Sequence, residues 1–134
     1  MRPIPEGYAE EVVFTVIPGM EAAFEGRVVH PVLATWWLVH YAEWASRKVL
    51  LPHLEEGEEG AGIGVNLRHR GAAPLGSQVR VKARAVKVDG RTLVCAVEAY
   101  VGDRLIATGE VYQAVWPEAE LRRALSQVAP EKVE

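Results

Sequence analysis

One run of residues limits the folds open to this chain. Thr35 to Leu51, TWWLVHYAEWASRKVLL, is rich in tryptophan and is stopped by Pro52. It is too long for a strand and too apolar for a loop, and its apolar residues recur at helical spacing, so it reads as the one long helix. Projected at about 100° per residue, Leu38, Ala42, Ala45 and Val49 form a stripe of mostly small aliphatics. Trp36, Trp37, His40, Glu43, Trp44 and Arg47 gather on the opposite side. The stripe predicts a helix lying on a sheet. The other face carries more tryptophan than a helix leaves in water, so a second subunit is expected to cover part of it.

The remainder reads as strands. Tyr8 to Ile17 is rich in Val, Phe and Thr and ends at Pro18-Gly19, which predicts a first strand closed by a turn. Arg27 to His30 reads as a connector to the helix, and Pro52 to Gly60, PHLEEGEEG, as an acidic connector away from it. Beyond it a strand is expected over Ala61 to Arg70. The next has Val79, Val81, Ala83 and Ala85 alternating with Arg80, Lys82 and Arg84. The alternation slips at Ala85-Val86, which predicts a bulge or strong bend. Asp89-Gly90 and Gly102-Asp103 predict tight hairpins leading into Arg91 to Val101 and Leu105 to Trp116. Pro117 to Val128 reads as a short terminal helix opened by its proline. The sum is an α+β domain over residues 1–134, with one long helix wrapped by a curved antiparallel sheet of about five strands. Such a sheet exposes long edges. Pairing one of them with a second copy removes it, so a homodimer or higher homo-oligomer is the expected assembly.

Composition excludes several classes of function. The 15 basic and 18 acidic side chains are interspersed, giving a formal charge of −3 and no basic field for nucleic acid. Met1 to Glu11 has no apolar core of a signal peptide, and no stretch approaches a membrane span, so a cytoplasmic protein with no membrane partner is expected. The single cysteine, Cys95, lies in an alternating strand, where it reads as a small core residue and a poor nucleophile. One Asn and three Gln beside abundant Ala, Glu and Arg hint at a thermophilic source. No H-x-x-x-H or H-E-x-x-H pattern is present, so no metal is predicted.

Three residues could carry chemistry: Thr35 at the head of the helix, Glu43 eight residues along it, and His69 on a later strand. A hydroxyl, a carboxylate and an imidazole are the parts acyl transfer needs. Each also has a plain structural reading. Thr35 can be an N-cap, Glu43 can pair with Arg47 one turn on, and His69 can be a solvated member of Arg68-His69-Arg70. Gly62 can simply relieve a strand bend. Eight residues of helix rise about 12 Å, so Thr35 and Glu43 cannot both reach one small acyl carbon from well inside the same helix. Either Thr35 sits in an irregular turn before it, or a second subunit completes the cluster.

The spacings carry a resemblance. Ala34-Thr35, Glu43-Trp44, and His69 ahead of Ala72-Ala73-Pro74-Leu75-Gly76 resemble the fluoroacetyl-CoA thioesterase family of hotdog proteins, over roughly residues 28–116. The resemblance implies a hotdog fold and hydrolysis of an acyl-CoA thioester, with Thr35, Glu43 and His69 catalytic and the CoA moiety part of the substrate, so that no separate cofactor is needed. It also implies that the amide of Gly62, seven residues before His69, faces the thioester carbonyl. Glu43 would attack directly or activate a water, and His69 would move the proton. The family's phenylalanine gate near the helix entry has no counterpart in Gly26 to Val29, where Phe24 and Trp36 are the nearest aromatics. A short or medium acyl-CoA is therefore expected, with Trp36 and Trp37 as pocket walls. A non-catalytic acyl-CoA binding or sensing module is the alternative reading of the same pocket.

Overall fold

The computed structural model describes residues 1–133. The chain runs β1 (Ala9–Thr15), β2 (Glu21–Phe24), β3 (Arg27–Leu33), α1 (Thr35–Leu50), a 3-10 turn over Leu51–His53, β4 (Glu58–His69), β5 (Gln78–Asp89), β6 (Thr92–Val101), β7 (Arg104–Pro117) and α2 (Glu118–Ser126). Five strands form one antiparallel sheet in the order β1-β5-β6-β7-β4. It curls around α1 in the hotdog arrangement expected from the sequence, and β1 and β4 are its two free edges. Among the described residues no helix is long and apolar enough to cross a membrane.

The helix stripe is the centre of the core. Leu38, Ala42, Ala45 and Val49 are each no more than 1% exposed, and they share a single cluster with Val79, Val81 and Ala83 of β5, Val97 of β6 and Val111 of β7. Burying each Leu or Val there contributes roughly 1.5–3 kcal/mol. The expected bulge is present: Ala85 pairs with Cys95 and Lys87 with Val94, leaving Val86 over. The Asp89-Gly90 and Gly102-Asp103 hairpins are also found.

The connector before the helix is not a connector. Arg27 to His30 lies in β3, which pairs with β2 as a separate two-stranded sheet. Its tight turn uses positive φ at both Glu25 (51°) and Gly26 (78°). Glutamate is a poor residue for that conformation, so the turn carries half of the usual signal. The hairpin delivers the chain to the helix through three ties. Val32 bridges Pro74, the Leu33 amide donates to the Ala73 carbonyl at 2.9 Å, and the Ala34 amide donates to the Met20 carbonyl at 2.8 Å. After the helix, β4 begins at Glu58 rather than Ala61, because Glu58 to Gly60 find partners in Pro117, Trp116 and Val115.

A second bulge lies in β4, beside Gly62, where a strand bend is the plain reading of that glycine. Gly62 pairs with Gln113 and Gly64 with Tyr112, so Ile63 is the extra residue. Opposed residues share a face. On β7 the helix-facing residues run Val115, Gln113, Val111, Gly109, Ala107, and their partners on β4 are Gly60, Gly62, Val65, Leu67 and His69. Gly62 and His69 are an odd number of residues apart and would face opposite sides of a regular strand. The bulge turns both toward α1.

Gly109 is the point of closest approach between these strands. A Cβ there would overlap the Asn66 carbonyl oxygen and lie 2.9 Å from Leu67 Cα, both backbone atoms that cannot swing aside. Gly109→Ala is expected to lower stability by about 1–3 kcal/mol or more, read as a fall in thermal melting temperature; an unchanged melting temperature would contradict this packing.

Candidate active site

The helix and β4 run in opposite directions, side by side, and meet at three levels. At one end Leu50 packs on Gly60, where a Cβ would collide with its methyl group. In the middle Glu43 stands over Gly62, its Oε2 only 3.3 Å from where a Cβ would be. At the other end the Thr35 hydroxyl and His69 Nδ1 share a hydrogen bond of 2.9 Å. The four residues therefore form two pairs, Glu43 with Gly62 and Thr35 with His69, separated by about 12 Å of helix rise.

The local readings of Thr35 and Glu43 do not hold. The N-cap is Ala34, in extended conformation, and no side chain caps the helix. Thr35 is the first helical residue, which frees its hydroxyl to reach across to His69. Arg47 does not pair with Glu43: its guanidinium meets Glu59 at 3.0 Å and donates to the Gly60 carbonyl at 3.3 Å. The Gly60 amide donates to Glu59 at 2.7 Å and, with Arg47, holds that carboxyl below the usual carboxylate range. Glu43 is left exposed, on the wall of an open groove of about 440 Å³ that it shares with His40, Trp44, Arg47 and Leu51.

His69 is half-buried, and its Nε2 is shut off from water without a hydrogen-bond partner among the described residues. A buried ring nitrogen without a partner is costly, and its natural complement is a group from outside the chain. If the Thr35 hydroxyl donates to Nδ1, Nε2 carries the proton; if Nδ1 donates, Nε2 presents a lone pair. Either way Thr35 fixes the ring through its far nitrogen.

The aromatic residues divide. Trp36, 46% exposed, leans edge-on against Phe24 of the β2–β3 hairpin at 5.4 Å between centroids, on the Thr35 side of the helix. Trp37 is half-buried, packs on the core and stacks with Tyr41, which in turn stacks on Phe14 at 3.8 Å. Trp44 is 52% exposed. Cys95 is fully buried, and burial pushes its thiol up to about 11. Among the described residues no three of His, Cys, Asp and Glu come together as a metal site.

The single long helix wrapped by a curled five-stranded antiparallel sheet defines a hotdog fold. Residues 16–119 match the model of the fluoroacetyl-CoA-specific thioesterase family, and the chain belongs to that family. It is 37% identical over 84 residues to the fluoroacetyl-CoA thioesterase of Streptantibioticus cattleyicolor, an alignment covering 63% of this chain and 60% of that relative's length. Among solved structures it is similar to a Thermus thermophilus hypothetical protein described as a thioesterase superfamily member, at 44% identity and a TM-score of 0.92, covering 95% of this chain and 94% of that one. It is also similar to a mutant of the fluoroacetyl-CoA-specific thioesterase FlK in complex with fluoroacetate and CoA. That match has 29% identity and a TM-score of 0.78, and covers 87% and 98% of the two chains.

Because Thr35 is exposed and its one side-chain bond is to His69, Thr35→Val is expected to cost no more than about 1 kcal/mol of stability. It should nevertheless change the tautomer balance of His69, seen in the ring nitrogens by long-range nitrogen–proton NMR. An identical imidazole spectrum would mean that Thr35 does not hold the ring.

Proposed function

We propose that this chain is an acyl-CoA thioesterase that hydrolyses a short or medium acyl-CoA, with Thr35, Glu43 and His69 as its catalytic side chains. The observation that carries the reading is the Thr35–His69 bond, which leaves Nε2 buried and without a partner among the described residues, in a chain of a thioesterase family. In the reaction the Glu43 carboxylate, or a water it activates, adds to the thioester carbonyl. The resulting oxyanion is met by the Gly62 amide, the C–S bond breaks, and His69, protonated on both ring nitrogens, gives one proton to the departing CoA thiolate. Attack by Glu43 itself leaves a mixed anhydride that a water then hydrolyses, and in either route the proton released by the water returns to His69. Both routes consume one water and release free acid and CoA. Trp36 and Phe24 supply an apolar wall for the acyl chain.

The active unit in this reading is a homodimer, because the two pairs of residues are too far apart within one copy. The edges of the sheet favour β4 as the interface. On β1, Glu10 and Glu11 stand on the edge strand and Lys48 Nζ donates to the Glu11 carbonyl at 2.8 Å. Charge placed this way keeps other strands off. On β4, Ala61 to Leu67 has no charged residue, and Ile63 and Val65 are 55% and 36% exposed. If two β4 strands pair antiparallel about a two-fold axis at Asn66, Val65 opposes Leu67 and Gly64 opposes Arg68. The extra residue Ile63 then brings Gly62 opposite His69 of the partner subunit. Directly opposed residues have Cα atoms about 4.5–5.5 Å apart. Each of two equivalent sites then contains Glu43 and Gly62 from one copy and the Thr35–His69 pair from the other.

Thiol release from a panel of acyl-CoAs, acetyl to palmitoyl with fluoroacetyl and phenylacetyl, tests the activity; buried Cys95 does not compete for the disulfide dye. Glu43→Ala and His69→Ala are each expected to lose most turnover. Mixing the two inactive variants and allowing subunits to exchange should restore about a quarter of wild-type activity, since half the dimers are mixed and each has one intact site. No recovery in exchanged mixtures would place both residues of a site on one chain. Asn66→Cys should form a subunit-to-subunit disulfide on mild oxidation, whereas Val13→Cys on the β1 edge should not; the reverse result would move the interface.

A further inference from the structure

Among the buried residues of the helix–sheet interface, polarity is confined to one rung. Among the described residues Ser46 and Gln113 are the only buried polar side chains, at 0% and 3% exposure. Gln113 lies in β7 between Val111 and Val115, which belong to the helix-facing core, and its Nε2 donates to the Ser46 backbone carbonyl at 2.9 Å. Burying an amide needs a partner, and a leucine or methionine would fill this volume without needing one. The amide does something an apolar side chain cannot: it ties the middle of the helix to the sheet at a fixed height.

That height matters at this rung. Gln113 is the ladder partner of Gly62. Ser46 is three residues on from Glu43, on the neighbouring turn of the helix. The tie and the Glu43–Gly62 contact are therefore side by side. The contact leaves little slack, since the Glu43 carboxylate is already within 3.3 Å of the position a side chain would take at residue 62. The Ser46 hydroxyl has no oxygen or nitrogen partner among the described residues and faces the buried Cys95 thiol, a weak partner at most, so the Gln113 bond is the stronger tie.

We infer that Gln113 is a positioning residue: by holding the Ser46 carbonyl it sets the distance between the Glu43 carboxylate and Gly62, and with it the alignment of the reacting carboxylate. The inference rests on the reading of Glu43 as a catalytic group. Gln113→Met keeps the volume and removes the donor; Gln113→Asn keeps the donor but is one methylene too short to reach. Both are expected to lower kcat about 10-fold to 100-fold, with KM changed by less than about threefold because residue 113 is buried beneath the helix. Both should also shift the Gly62 amide resonance in the nitrogen–proton spectrum of the dimer, in the same direction as Glu43→Gln. A kcat equal to wild type, whatever the melting temperature, would overturn the inference, as would a Gly62 resonance that stays in place. If the wild type releases thiol from no ester, the thioesterase reading fails by itself, and the Gly62 resonance still decides whether Gln113 positions Glu43.

Discussion

The contact between the small-residue stripe of α1 and the inner face of the sheet sets the other distances in this molecule. Two of its four residues, Ala42 and Ala45, are alanines, so the helix lies close enough for its flank to reach the neighbouring edge strand. β4 answers with Gly60 and Gly62 at the two rungs where Leu50 and Glu43 come down. Larger residues on either side would lift the helix and separate Glu43 from the strand. The helix is held by burial along its stripe, and the candidate chemistry lies on its flank, where geometry is inherited from that packing.

A strand alternates faces, and the bulge at Ile63 is what makes the flank useful. Without it, Gly62 and His69 would lie on opposite sides of the sheet, one toward the helix and one toward solvent. A single extra residue changes the parity, and the loss is one unpaired position in the β4–β7 ladder. The bulge thus serves the relation between two residues that do not touch each other within the chain. Bulges beside functional groups commonly redirect a side chain in this way.

Much of this was legible in the sequence, and the reasons differ by element. The helix, the long strands after it, the Val86 bulge and two hairpins follow from period and turn residues, which are local signals. The β2–β3 hairpin was hidden because its turn uses Glu25 where asparagine or glycine would announce it. The fates of Thr35 and Glu43 were not local at all. Whether threonine caps its own helix or reaches His69, and whether Arg47 turns to Glu43 or to Glu59, is settled by strands that arrive later in the chain. The β4 bulge did leave a trace in the odd interval between Gly62 and His69, which only makes sense on one face if the strand is irregular. Gln113 left a fainter one, a lone amide inside the apolar run VYQAVW.

The two sheet edges are treated unequally, and that inequality links stability to function. β1 is guarded by carboxylates and by the lysine that occupies one of its carbonyls, as expected of an edge meant to stay in water. β4 is long and uncharged through its centre, and it carries Ile63 and Val65 in the open, a surface that would aggregate if it had no partner. Adding a lysine at its middle would remove that hazard in a solitary copy. It would also block the pairing that, in the dimer reading, brings Gly62 opposite His69 of the partner subunit. The exposed edge and the Nε2 of His69, which has no partner among the described residues, are each unfavourable when one chain is considered alone. They cluster around α1 and β4, and in the dimer reading each becomes reasonable, because the unit considered is then two chains with a thioester between them. Local rules of stability tend to be broken where a site has to be built, and here the breaks lie along the one helix flank and the one strand edge that carry it.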